Sequence, residues 1–147
     1  MIDVPAFYMD FEAAEAGEED YRSTSRDVER LISEIRDEVD GIILDLRGNA
    51  GGSLEEATRV AGLFIEHGPI VQVQRSTGER EVLEDDDGGA IAYRGPLGVM
   101  VDSYSASASE IVAAAIQDYD RGVVVGDAHL RQGYRADHGQ PGALRPR

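Results

Sequence analysis

The chain has 147 residues, 41% of them hydrophobic, and its 29 acidic residues against 14 basic ones give a formal net charge of −15. Length and composition fit one soluble domain that is long enough to bury a core. The phosphates of nucleic acids and the surfaces of anionic lipids repel so acidic a chain, which argues against both as partners. The sequence contains no cysteine and every basic residue is an arginine. Mechanisms that need a thiol or a lysine amine are therefore excluded for this chain.

The sequence offers neither a membrane span nor a secretory signal. Its longest apolar run covers about residues 111–116, well short of the roughly 18 residues that a span requires. Residues 1–5 lack both a basic leader and an apolar segment. We therefore expect no spanning helix, and these features do not fix the compartment.

The first third of the chain predicts one amphipathic helix. Residues 6–22 mix aromatic side chains with a dense acidic cluster, which suggests a short extended piece followed by a solvated loop. The oxygens of Ser23, Thr24 and Ser25 can cap a helix over about residues 26–38. Its apolar positions recur at steps of three and four and form one face: Val28, Leu31, Ile32, Ile35 and Val39.

Strands and helices alternate in the sequence up to residue 125. The continuous apolar run at residues 42–46 predicts a strand that is covered on both faces. After it we expect a glycine loop at 47–53, a helix at 54–66, a hairpin with strands at 70–74 and 81–83, an acidic turn at 84–89, a strand at 97–101, a helix at 110–119 and a strand at 122–125. This alternation predicts an α/β layer structure with a mainly parallel sheet. The acidic turn lacks the ligand spacing of a calcium loop, so we expect no metal site there.

Two loops follow predicted strands at the edge where open α/β sheets place their sites. The glycine loop can present backbone N–H groups to a phosphate or to an oxyanion, or it can be a plain tight turn. A phosphate site would need a lysine and a hydroxyl residue after the last glycine, and neither is there. The second loop contains Ser105, Ser107 and Ser109. A serine at a helix start is usually a cap, but the junction of strand and helix also exposes nucleophiles.

Several motifs occur in order and at matching spacing along the chain: DLRGNAGGSL at residues 45–54, GLFI at 62–65, GPIVQV at 68–73, GPL at 95–97 and VDSYSASASEI at 101–111. Together they resemble the tail-specific, or carboxy-terminal processing, serine protease family. The resemblance covers about residues 2–127. It implies a crotonase-like α/β catalytic domain, incomplete here, that cleaves proteins near their C-termini through a serine–lysine dyad.

The resemblance also assigns roles to residues. It implies that Ser107 is the nucleophile and that the amide of Ala108, with that of Gly51 or Gly52, donates to the oxyanion. It implies that Asp118 matches an acidic position that supports the site. The expected partners are protein or peptide C-termini, with no cofactor and no metal ion. The resemblance implies a periplasmic or extracytoplasmic location, although the chain shows no export signal.

The chain departs from the family where the general base is expected. The family's lysine lies 25 residues after the nucleophile and its orienting glutamine four residues later, which are the positions of Gln132 and Ala136. A glutamine amide cannot accept the serine proton near neutral pH, whereas a desolvated lysine can. His129 is the histidine nearest this position, and His67 and His138 complete the inventory. Ala50 replaces a third glycine, which matters only where a positive φ is required.

The C-terminal segment predicts a reading-frame shift. After residue 127 the apolar periodicity ends and arginines accumulate. One permitted set of codons for residues 129–136, read one nucleotide later, encodes Thr-Phe-Gly-Lys-Gly-Thr-Val-Gln. This is the family's lysine segment, with lysine at position 132 and glutamine at position 136. We therefore divide the chain into a partial protease domain at residues 1–128 and an aberrant tail at 129–147, which we expect to pack few side chains.

Three hypotheses about function follow. The first is a truncated serine endopeptidase of the tail-specific type that lacks its base and is inactive, without the peptide-binding PDZ module and the later strands of the family. The second is a non-catalytic module with the same fold that binds extended peptides by strand addition. The third is a chain without independent function, which incomplete folding would reveal.

Overall fold

The computed structural model describes residues 1–18, 20–74, 80–84 and 91–126. These residues form a parallel sheet, an antiparallel hairpin and flanking helices, which confirms the predicted α/β class. In chain order the elements are β1 (Ile2–Asp3), α1 (Phe11–Glu15), α2 (Thr24–Ile35), β2 (Ile42–Asp45), α3 (Leu54–Gly62), β3 (Pro69–Gln74), β4 (Arg80–Glu84), β5 (Leu97–Val101), α4 (Ala108–Asp118) and β6 (Val123–Gly126).

The sheet runs in the order β1-β2-β5-β6 with every neighbouring pair parallel. Leu44 lies opposite Val99, and Val99 lies opposite Val124. The strands predicted at residues 42–46, 97–101 and 122–125 therefore lie next to one another, and the predicted parallel sheet is confirmed. Strand β1 was not predicted, because two residues carry no readable periodicity.

The helices cover one face of the sheet. Helix α3 packs between α2 and α4, and the buried side chains of all three join those of the strands in one core. Val60, Ala61 and Phe64, which lie within the helix predicted at residues 54–66, are fully buried. On the strands, the residues that face this core are Ile2, Val4, Ile42, Leu44, Leu97, Val99 and Val101.

Several predicted boundaries were wrong. Helix α2 begins at Thr24 behind the N-cap Ser23 and ends at Ile35, three residues before the predicted end. Val39 therefore lies outside the helix, and 38% of it is exposed. Helix α3 ends at Gly62 rather than residue 66. The segment assigned to an extended piece and a loop contains α1, which the Asp10 carboxylate caps by accepting from the Ala13 N–H at 3.1 Å.

Part of the sequence interpretation lies outside the described residues. This applies to the tail from residue 127 onward, with Gln132, Ala136, His129 and His138, and to most of the acidic turn. Among the described residues, no helix is long and apolar enough to cross a membrane.

Candidate active site

The three serines of the second loop have different environments. The Ser105 hydroxyl donates to the Leu46 carbonyl at 2.8 Å. The Ser109 hydroxyl is fully buried and donates to the Asn49 carbonyl at 2.9 Å. Ser107 lies between them and is exposed. Ser105 thus binds the residue that precedes the glycine loop, Ser109 binds the loop itself, and Ser107 between them is exposed to solvent.

Ser107 has an unusual backbone. It is the N-cap of α4 and has φ 54° and ψ −114°, a left-handed conformation that side chains rarely adopt. Such positions cost on the order of 1–3 kcal/mol and concentrate at functional sites. The Ser107 N–H donates to the Glu110 carboxylate at 2.8 Å. Ala108 begins the helix, where N–H groups have no partner within the helix and can serve an incoming oxyanion.

The glycine loop lies directly against this helix start. A Cβ atom built on Gly51 would lie 2.9 Å from the Ser107 Cβ and 3.2 Å from the Ala108 nitrogen. A Cβ on Gly52 would collide with the Phe7 carbonyl oxygen. Both glycines also have positive φ, 110° and 142°. Only glycine fits at either position without displacing the site.

Asp102 joins the two loops. One oxygen of its carboxylate accepts from the Gly48 N–H at 3.0 Å, the Tyr104 N–H at 3.0 Å and the Ser105 N–H at 3.1 Å. The Gly48 N–H, helped by the other donors, lowers the pKa of the Asp102 carboxyl. The ionised carboxylate therefore ties the end of β2 to the end of β5.

The remaining candidates lie elsewhere. Asp118 is the last residue of the 11-residue helix α4, about 15 Å along its axis from the first residue, Ala108, at 1.5 Å per residue. Asp118 therefore does not lie beside the serine, and its supporting role stays a prediction. His67 follows α3, away from the serine loop. Ala50 does not have a positive φ, so the missing third glycine causes no strain in the loop.

Sequence reasoning missed two residues that organise the site, Asn49 and Asp102. Asn49 is fully buried, although it lies in a loop of small residues. Both make their key contacts with residues 45 to 60 positions away in the chain. The only sequence signal for these two residues was a polar side chain in or next to a predicted loop.

The family model for Peptidase family S41 matches residues 1–134. This chain belongs to Peptidase family S41. The tail-specific protease of Haemophilus influenzae is 40% identical over 134 residues, which are 90% of this chain and 17% of that protein. The chloroplastic carboxyl-terminal-processing peptidase 2 of Arabidopsis thaliana is 37% identical over 113 residues, 76% of this chain and 22% of that protein. The predicted resemblance to C-terminal processing serine proteases is confirmed.

A solved structure gives the same result for this S41 chain. The photosystem II D1 C-terminal processing protease superposes with a TM-score of 0.62 at 28% identity, covering 83% of this chain and 28% of that one. The chain thus spans about a fifth of the length of the two curated relatives. The family match runs to residue 134, past the predicted boundary at residue 128.

Proposed function

We propose that this chain carries the nucleophile and oxyanion donors of a C-terminal processing serine endopeptidase, with Ser107 as the nucleophile. The observation that carries the proposal is the contrast within the serine run. Ser107 is exposed at a left-handed helix start with Gly51 packed against it, whereas Ser105 and Ser109 bind the backbone carbonyls of Leu46 and Asn49. The expected substrates are the C-terminal segments of proteins.

In the proposed reaction the Ser107 hydroxyl oxygen attacks the carbonyl carbon of a peptide bond. Negative charge then develops on the carbonyl oxygen, where the Ala108 N–H and a glycine N–H donate to it. The hydroxyl proton passes to a base and then to the leaving amine, which departs as the C–N bond breaks. Water hydrolyses the acyl-enzyme and frees Ser107.

We propose that the chain as written is inactive because it has no lysine. Position 132, where the family has its base, is a glutamine, whose amide does not take up the serine proton near pH 7. General-base assistance is typically worth roughly 10²- to 10⁴-fold in rate. The reading-frame shift over residues 129–136 explains the loss, and in this proposal the tail was never selected to pack on the domain.

The test compares three proteins on an unstructured peptide substrate. These are the chain as written, its Ser107→Ala variant, and a chain that carries Thr-Phe-Gly-Lys-Gly-Thr-Val-Gln at positions 129–136. We expect cleavage only by the third protein, and we expect Ser107→Ala, introduced into that protein as a fourth sample, to abolish the cleavage. Serine-dependent cleavage by the unmodified chain would refute inactivity and favour His129 as the base. Separately, an encoding DNA whose next frame does not spell the lysine segment would refute the shift.

Strand β6 favours a second candidate function, the binding of extended peptides without cleavage. It is an outer strand of the described sheet, and an outer strand can pair with an added peptide strand. In a titration, peptide affinity that Ser107→Ala leaves unchanged, together with no turnover by the chain with the restored lysine segment, would favour this function over proteolysis.

A further inference from the structure

Every polar atom of the Asn49 side chain is engaged. Its Oδ1 accepts from the Gly51 N–H at 2.8 Å, and its Nδ2 donates to the Val4 carbonyl at 2.7 Å. The residue is fully buried, so these bonds do not compete with solvent. The side chain thus fixes the glycine loop to the end of β1.

The backbone of Asn49 binds the other loop. Its carbonyl accepts from the Ala106 N–H at 3.1 Å and from the Ser109 hydroxyl at 2.9 Å. These two donors lie on either side of Ser107 in the sequence. One residue therefore sets the distance between the glycine loop and the start of α4.

The glycine loop passes between Phe7 and Ser107, since a Cβ on Gly52 would meet Phe7 and one on Gly51 would meet Ser107. The Gly51 carbonyl accepts from the Phe7 N–H at 3.0 Å. In a trans peptide the N–H points opposite to the carbonyl. The Gly52 N–H is therefore directed away from Phe7, toward the side on which Ser107 lies.

We propose that Asn49 is a positioning residue that reserves the Gly51 amide for itself and thereby leaves the Gly52 amide to act with that of Ala108. This inference rests on the proposed role of Ser107. Both polar atoms of the Asn49 side chain are required. Oδ1 accepts the hydrogen bond from the Gly51 N–H, and Nδ2 donates a hydrogen bond to the end of β1. An aspartate at this position would keep the first bond, lose the second, and place a buried negative charge near the developing oxyanion.

Amide hydrogen exchange, followed by NMR on the chain as written, tests the geometry without any catalysis. We expect the Gly51 amide to be protected and the Gly52 amide to exchange faster by at least about 10-fold, because a buried hydrogen bond slows exchange. In Asn49→Ala the Gly51 amide should lose its protection while the core amides of β2 and β5 keep theirs. A protected Gly52 amide beside a fast-exchanging Gly51 amide would overturn the assignment.

The second measurement tests positioning. A peptide boronic acid adds the Ser107 oxygen to boron, the hydroxyl proton goes to solvent, and a boron-bound oxygen occupies the oxyanion position. The same peptide as a carboxamide reports ground-state binding only. We expect Asn49→Ala, which frees the Gly51 amide without adding a charge, to weaken boronate binding at least about 10-fold more than carboxamide binding, because oxyanion donors act on the charged adduct.

Ile32→Ala is the matched control, because it opens a cavity in the core at α2 but removes no bond of Asn49 or of the serine loop. It should lower the melting temperature and leave the ratio of the two affinities unchanged. Equal weakening of both ligands by Asn49→Ala, or no change in either, would refute the positioning role. If the chain as written and Ser107→Ala bind the boronate equally well, the proposed nucleophile fails instead, and the exchange measurement still decides the arrangement of the amides.

Discussion

The two faces of the sheet differ sharply in what covers them. On the helix side, Leu44 and Val99 are completely buried. On the opposite side, Ile43 is 41%, Val123 66% and Val125 58% exposed. The register alternates these residues along paired strands, so one sheet presents a packed face and an apolar open face.

This difference shows what the sequence pattern of β2 means. Its continuous apolar run predicted a strand covered on both faces, as in most parallel sheets. The described residues cover only one. The apolar composition of a strand thus shows that both of its faces could be covered, whereas burial shows which face is covered. Mutating one residue on each face separates the two.

The largest expected effect comes from neighbouring residues of β2. Leu44→Ala should lower the free energy of unfolding by about 3 kcal/mol, because it opens a cavity in the core. Ile43→Ala should cost less than about 1 kcal/mol, because the side chain is already partly in water. Urea denaturation of both variants measures the difference. Equal losses would mean that residues outside the described ranges cover the second face.

Two adjacent glutamates of α3 show the same contrast between a buried and an exposed side chain. Glu56 is fully buried and accepts from the Ser25 N–H at 2.6 Å, which fixes the start of α2 to α3. Glu55 is exposed and pairs with Arg59 at 2.8 Å. We expect Glu56→Ala to cost about 2 kcal/mol, because it leaves a buried N–H without its acceptor. Glu55→Ala should cost less than about 0.5 kcal/mol. Thermal denaturation that ranks them in the reverse order would contradict this account.

One substitution in the candidate active site should stabilise the fold. Ser107→Gly relieves a left-handed φ and should raise the free energy of unfolding by about 1 kcal/mol. Ser107→Ala keeps the Cβ and the strain and removes the hydroxyl of the N-cap, so it should gain no stability. Chemical denaturation of the two variants is the measurement. A destabilising glycine would show that the backbone is not strained.

The smallest effect concerns pH. Bonds from Gly48, Tyr104 and Ser105 lower the folded-state pKa of Asp102 below its ordinary value of 3.8. Its ionised form therefore stabilises the folded chain above about pH 4, and this contribution is lost as the pH falls through the folded pKa. Asp102→Asn should reduce the slope of stability against pH below pH 4 and leave it unchanged near pH 7. An unaltered acid limb in urea titrations would refute the contribution.

The spacing of apolar residues predicted most of the helices and strands but not the residues at which they end. The three-and-four spacing located α2, yet it did not show that the helix ends at Ile35, so Val39 was assigned to the wrong side. The motifs located both loops of the site. They did not separate Gly51 from Gly52, because the partners of these glycines, Phe7 and Asn49, come from the fold around the loop.

The parallel sheet has a consequence for the order in which the chain can fold during synthesis. Each of its pairings joins segments that are far apart: Ile2 with Leu44, Ile42 with Leu97, and Gly98 with Val123. The residues synthesised first therefore cannot form their strand pairs until their partners have been synthesised. Folding that depends on such distant contacts is slow. Because Val4 and Phe7 hold the glycine loop while Ser109 closes it, Val4 and Phe7 leave the ribosome well before the residues that complete this site.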